Sequence, residues 1–418
     1  MSNIIDVLAG VTLPERAARP EAVANAERSF EALFESSLLI DVPVNHRYAT
    51  AAFIASISGD ARAFDFYADL LSDEDEALVD VVASAVEVGR STGPYSGGDF
   101  VLFGGAEGVD GLDAKLAAAF DFAHLLTFHP KDASPAAIGH LQEVGYTETG
   151  IVSLSQLISF VAFQLRVAHG VRVLASVSGD AGVSGDAGVS GDAGVSGASV
   201  EAPARAVGVA DPGWAPTSAT LQPEVVAPTG FVNHSLGWKP WVAPLPKDQF
   251  TQAHIDALIK PERIDMEYFR LLARDPAALK ARTLTDLDIF YNTEGGLARA
   301  ERELAATVAS RLNGCEYCAS VHQARAKEEG GDAEIIDRLL TEGVDTDLGS
   351  PLWNAIRDAA VALTRTPFAF GKAEVEALRA AGLDDVAIID VINASAFFNW
   401  ANRLMLTLGA PDVPKRFR

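Results

Sequence analysis

Cysteine is almost absent from this chain, with two in 418 residues. That is too few for a disulfide scaffold, and no second Cys-x-x-Cys exists to complete a four-ligand structural zinc site. Basic residues are also scarce: 33 Lys and Arg face 57 Asp and Glu, a formal net charge of −24, which disfavours nucleic acid and anionic membrane surfaces as partners. The amino terminus has no basic region followed by an apolar core, and no apolar run reads as long enough to span a bilayer, so a cytoplasmic protein without a membrane partner is expected. Gly93 to Gly108 is rich in glycine but lacks the G-x-G-x-x-G order and a preceding strand, which makes it a loop and not a nucleotide site. Convincing strand-type alternation is missing throughout, and the class expected is all-α.

What is present divides into three parts. Residues 1–175 show Ala-rich helical patterning, with segments from Asn25 to Leu39, Leu112 to Leu126, Pro135 to Val144 and Thr147 to Leu174. Residues 176–228 contain three copies of Val-Ser-Gly-Asp-Ala-Gly and then a Pro-rich stretch. Such Gly, Ser and Asp content cannot bury a core and lacks a calcium-roll pattern, so a flexible linker is expected. Residues 229–418 open on the lead-in Trp238-Lys239-Pro240-Trp241 and continue as helices, among them Pro276 to Leu287, Arg299 to Leu312 and Asp384 to Leu406.

Both cysteines and one of the eight histidines fall within ten residues, Asn313 to His322. If residues 315 to 326 are helical, Cys315, Cys318, Ala319, His322 and Ala326 share one stripe. A free thiol with a pKa of about 8.5 is only slightly ionised at neutral pH, so either sulfur needs activation to act as a nucleophile. His322, one turn beyond Cys318, can take its proton, while the helix start at Asn313-Gly314 favours negative charge at Cys315. A downward shift of two units asks for about 2.7 kcal/mol. Two blander readings stand beside redox chemistry: a structural disulfide, which over so short a loop constrains little, and a pair of buried inert thiols.

The halves also resemble each other. Gly145 to Arg166 tracks Gly382 to Arg403 at an offset of 237, and Arg47 to Asp60 tracks Arg302 to Cys315 at an offset of 255. In that alignment Asp60, Ala63 and Tyr67 stand where Cys315, Cys318 and His322 are, so the first copy has no thiol chemistry.

With these residues laid out, the second half resembles the AhpD-like alkylhydroperoxidase and carboxymuconolactone decarboxylase superfamily, in particular its peroxidase-related branch. The motif of that branch is Glu, eleven residues, Cys-x-x-Cys, three residues, His, and Glu303, Cys315, Cys318 and His322 satisfy every spacing. The resemblance implies two AhpD-like helical bundles, the first lacking the motif. It implies that Cys318 attacks a hydroperoxide, that His322 and Glu303 relay the proton, and that Cys315 resolves the sulfenic acid as a disulfide. It implies no metal or other cofactor, an external dithiol reductant such as a lipoyl or thioredoxin-like protein, and a homo-oligomer of trimer or hexamer type. AhpD itself has a second histidine close to its cysteine pair, whereas this chain has Tyr317 between the two and no other histidine nearby in sequence. Tyr317, with Asn399 and Asn402 of the last helix, is a further candidate for the pocket. Non-redox decarboxylase chemistry and a non-enzymatic assembly role are the alternatives.

Overall fold

The computed structural model describes residues 3–36, 41–95, 102–103, 109–179 and 214–418. The Val-Ser-Gly-Asp-Ala-Gly repeat beyond Gly179 and most of the Gly-rich stretch lie outside the described residues. Polar side chains set where the helices begin, because the first N–H groups of a helix have no partner within it. Asp113 accepts from Leu116 N, Thr147 from Gly150 N, Asp275 from Ala278 N and Asp384 from Ala387 N.

The first half contributes α1 (Ile4–Ala9), α2 (Pro20–Phe30, prolonged by a π-helical turn, Glu31–Glu35), α3 (Val44–Ile57), α4 (Ala61–Gly89), α5 (Ala114–Phe128), α6 (Pro135–Glu143) and α7 (Glu148–Ser178). The second contributes α8 (Gln252–Ala257), α9 (Glu267–Leu272), α10 (Pro276–Tyr291), α11 (Arg299–Leu312), α12 (Glu316–Glu328), α13 (Ala333–Glu342), α14 (Pro351–Thr364), α15 (Lys372–Ala380) and α16 (Asp385–Thr407). The fold is all-α. A short antiparallel ribbon departs from the expectation of no strands: β1 (Gly237–Pro240) pairs with β2 (Gly409–Asp412). Four residues each, rich in Gly and Pro, offer no alternation to read.

Helix starts repeat between the halves at the two offsets. α5, α6 and α7 begin 237 residues before α14, α15 and α16, and α3 and α4 begin 255 residues before α11 and α12. α4 is one helix of 29 residues where the second half has two, and its kink at Asp75 falls at the position of Gly330, between α12 and α13. Buried arginines anchor both copies in the same way. Arg47 Nε donates to Val42 O and Nη1 to Phe34 O; Arg302 Nε donates to Leu297 O and Nη1 to Ile289 O, the same steps back along the chain.

The halves interlock through one continuous apolar core. α7 lies along α16, close enough that a Cβ on Gly170 would sit 2.7 Å from Ile392. Trp400 packs on Phe160 and Phe163 and donates from Nε1 to Gln156 Oε1 at 3.0 Å. Two arginines make reciprocal clasps: Arg166 Nη2 donates to Thr364 O at 3.0 Å, and Arg403 Nη2 to Thr127 O at 3.3 Å.

Two expectations are corrected. α7 is long and apolar enough to cross a membrane, yet its most apolar window is wholly buried among the other helices. The described end of the supposed flexible linker is packed: Trp214 stacks on His140 at 5.1 Å, Thr220 hydrogen-bonds Gln142 at 2.6 Å, and Val413 N donates to Val226 O at 2.8 Å. Trp214 and the regular backbone partners outweigh the Pro-rich composition there.

Candidate active site

α11 ends at Leu312, and the chain turns through Asn313-Gly314 into α12. Gly314 adopts φ 78°, a left-handed conformation that favours glycine. A Cβ there would also meet the Lys131 side chain of the first half at 2.7 Å. Asn313 fixes the turn from the other side: its Nδ2 donates to Asn399 Oδ1 at 3.1 Å and Asn402 Oδ1 at 3.0 Å, and Asn402 Nδ2 donates to Ser310 Oγ at 3.0 Å. Asn399 and Asn402 are completely buried, so the structure places them in a clamp on the turn before the cysteines and not along an opening.

Cys315 is the residue that caps α12, not one inside it, and Cys318 lies in the first turn. Both are free thiols and almost fully buried. Burial pushes the Cys315 thiol well above its ordinary range, and the neighbouring Cys318 adds to the shift. The helix-start argument for Cys315 as the ionised thiol therefore loses to desolvation.

His322 follows one turn after Cys318. Its Nδ1 lies 2.5 Å from Glu303 Oε2, and its ring packs edge-on against Phe398 at 4.1 Å. Glu303 is completely buried on α11, where Arg299 donates to its other oxygen from Nε and Nη2, each at 3.2 Å. Burial alone would raise the Glu303 carboxyl, but His322, Arg299 and Arg325 outweigh it and hold the group below its ordinary range. The structure thus brings all four motif residues to one place, with the carboxylate beneath the imidazole and the imidazole beside the dithiol. Tyr317, between the cysteines, is half-buried, and its hydroxyl is pushed up to about 12 by burial and by both sulfurs.

Further side chains border this centre. Tyr268 on α9 is raised to about 12 by burial, with Arg282 opposing the shift and Cys318 adding to it. Asp286 on α10 is raised by burial against the pull of Arg282 and His322. Arg299 was legible as the basic residue one turn before Glu303; Tyr268 and Asp286 carry no local signal, because they stand on other helices, outside the spacing of the motif. Among the described residues, no group of three or more His, Cys, Asp or Glu could hold a metal ion.

Residues 276–362, from the start of α10 into α14, match the carboxymuconolactone decarboxylase family. The chain is also similar to an uncharacterized peroxidase-related protein from Silicibacter sp. TM1040, at 27% identity over 42% of this chain and 88% of that one, with a TM-score of 0.34. No curated protein matches it. Glu303, Cys315, Cys318 and His322 all lie within the residues that match the carboxymuconolactone decarboxylase family.

Proposed function

We propose that the second half is a thiol-dependent peroxidase acting on hydrogen peroxide or organic hydroperoxides. The observation that carries this reading is the 2.5 Å contact between His322 Nδ1 and Glu303 Oε2 beside two free, adjacent thiols. With Nδ1 turned to the carboxylate, Nε2 is the ring atom left to accept the Cys318 proton. The Cys318 thiolate attacks the O–O bond, forming S–O as O–O breaks. The alkoxide or hydroxide leaves with the proton held by His322, giving the alcohol or water and Cys318 sulfenic acid. The Cys315 sulfur then displaces hydroxide from that sulfenic acid; a disulfide forms and water leaves. An external dithiol, of lipoyl or thioredoxin type, restores both thiols by exchange.

The test is mass spectrometry of the two thiols after one equivalent of peroxide, alongside turnover with an added dithiol. Disulfide formation in the wild-type chain, and its loss in Cys318→Ser, supports the assignment. Activity on a lactone or carboxylic acid that survives loss of both cysteines would falsify it in favour of a non-redox decarboxylase.

A further inference from the structure

Eight arginines are buried among the described residues, and seven of them, including Arg47, Arg166, Arg302 and Arg403, make hydrogen bonds to carbonyl or carboxylate oxygens. Arg282 is the exception. It is 7% exposed, its Nε has no hydrogen-bond partner, and no carboxylate of the described residues lies within ion-pair distance. Its guanidinium instead lies over the rings of Phe397, at 5.0 Å, and Trp400, at 5.9 Å. Its Nη1 and Nη2 are not enclosed, which leaves them open to an acceptor from outside. The Tyr268 hydroxyl is likewise buried and without a hydrogen-bond partner.

The Arg282 guanidinium is linked to the thiol centre through side chains. The aromatic row that carries the guanidinium leads to it, since Phe397 packs against Phe398 at 5.9 Å and Phe398 against His322 at 4.1 Å. The Tyr268 hydroxyl, raised by its burial, is pulled down by the Arg282 charge and pushed up by the Cys318 sulfur. Asp286, one turn after Arg282 on α10, is the acid that opposes an incoming anion there, and it is not ion-paired with Arg282.

From the unpartnered Arg282 guanidinium, the unpartnered Tyr268 hydroxyl and the aromatic row to His322, we infer a carboxylate subsite beside Cys318. Its ligand class is an organic hydroperoxide that carries a carboxylate, which takes two guanidinium N–H bonds and the phenol. The substrate class rests on the peroxidase reading above, whereas the anion subsite itself does not.

Alkylation separates the two. Iodoacetate and iodoacetamide each form an S–C bond to a thiolate with loss of iodide and differ in charge. Their rate ratio at Cys318, read by peptide mass spectrometry and divided by the ratio for glutathione, measures attraction for a carboxylate without any peroxide turnover. We expect this normalised ratio to exceed one in the wild-type protein, to fall about tenfold in Arg282→Met, to be largely kept in Arg282→Lys, and to rise in Asp286→Asn. Equal ratios in folded wild-type and Arg282→Met proteins overturn the subsite. If Arg282→Met does not fold, protection of wild-type Cys318 from iodoacetamide by benzoate, compared with benzamide at equal ionic strength, decides: equal protection overturns it. Given turnover, Arg282→Met should raise KM for the para-carboxylate of cumene hydroperoxide well beyond any change in KM for cumene hydroperoxide; equal effects overturn the substrate class. A ratio that falls in Arg282→Met in a chain that consumes no peroxide keeps the anion subsite and removes the peroxidase reading.

Discussion

Glu303, Cys315, Cys318 and His322 have counterparts in the first half at Tyr48, Asp60, Ala63 and Tyr67, 255 residues earlier. The backbone there is the same: Gly59 and Gly314 are both left-handed, and Asp60 N and Cys315 N each donate to the carbonyl five residues back. The side chains differ in what they leave available. Asp60 caps α4 through Ala63 N and pairs with Arg172, and the Tyr67 hydroxyl is satisfied by Gln164. Cys315 makes no side-chain cap, and His322 is 16% exposed. The comparison separates two kinds of position: buried arginines bonded to carbonyls anchor both copies alike, while the four motif positions are where the copies differ in thiol, imidazole and carboxylate.

The largest effect that tests this division is expected for Cys318→Ser. If only the second half is active, peroxide consumption falls by at least about a thousandfold; appreciable residual turnover, measured with saturating dithiol, would show that the first half contributes. The next concerns His124 of α5, buried where α14 has Val361. Burial, with help from His129, lowers its pKa from 6.5 to about 4. Unfolded, it binds a proton at the higher value, so its share of stability is full above about pH 6.5 and is lost as pH falls towards 4, to the extent of about 3 kcal/mol. His124→Val should flatten the acid limb of a chemical-denaturation series over that window without changing activity at pH 7. Glu303→Gln keeps the shape of the relay and removes its charge, which should cost about a hundredfold in the rate of Cys318 oxidation; an unchanged rate in stopped-flow would place Glu303 with the structural anchors. The smallest effect is expected for Asp60→Ala. Loss of a cap and a half-exposed ion pair should lower stability by about 1 to 2 kcal/mol in urea and leave turnover as it was.

Much of this was legible in the sequence, and the reasons are local. Asp113, Thr147 and Asp384 announce their helices because capping depends on three or four residues, and Glu303, Cys315, Cys318 and His322 are joined by two consecutive helices whose spacing fixes their meeting. What stayed hidden depends on contacts distant in sequence. Asn399 and Asn402 share a helical face, but nothing local says that the face meets Asn313 and not a cavity. Arg282 reads as an ordinary helical cation until Phe397 and Trp400, more than a hundred residues away, close over it. The Pro-rich stretch around Trp214 looks free because composition does not reveal that His140 offers a ring to stack on.

The reciprocal clasps of Arg166 on Thr364 and Arg403 on Thr127 have the form of a self-complementary contact about a two-fold axis. In a pair of separate subunits such a contact would be subject to mass action and would weaken on dilution. Here both partners belong to one chain, so the pairing is a unimolecular equilibrium, and the support that the first half gives to the Gly314 turn does not depend on protein concentration.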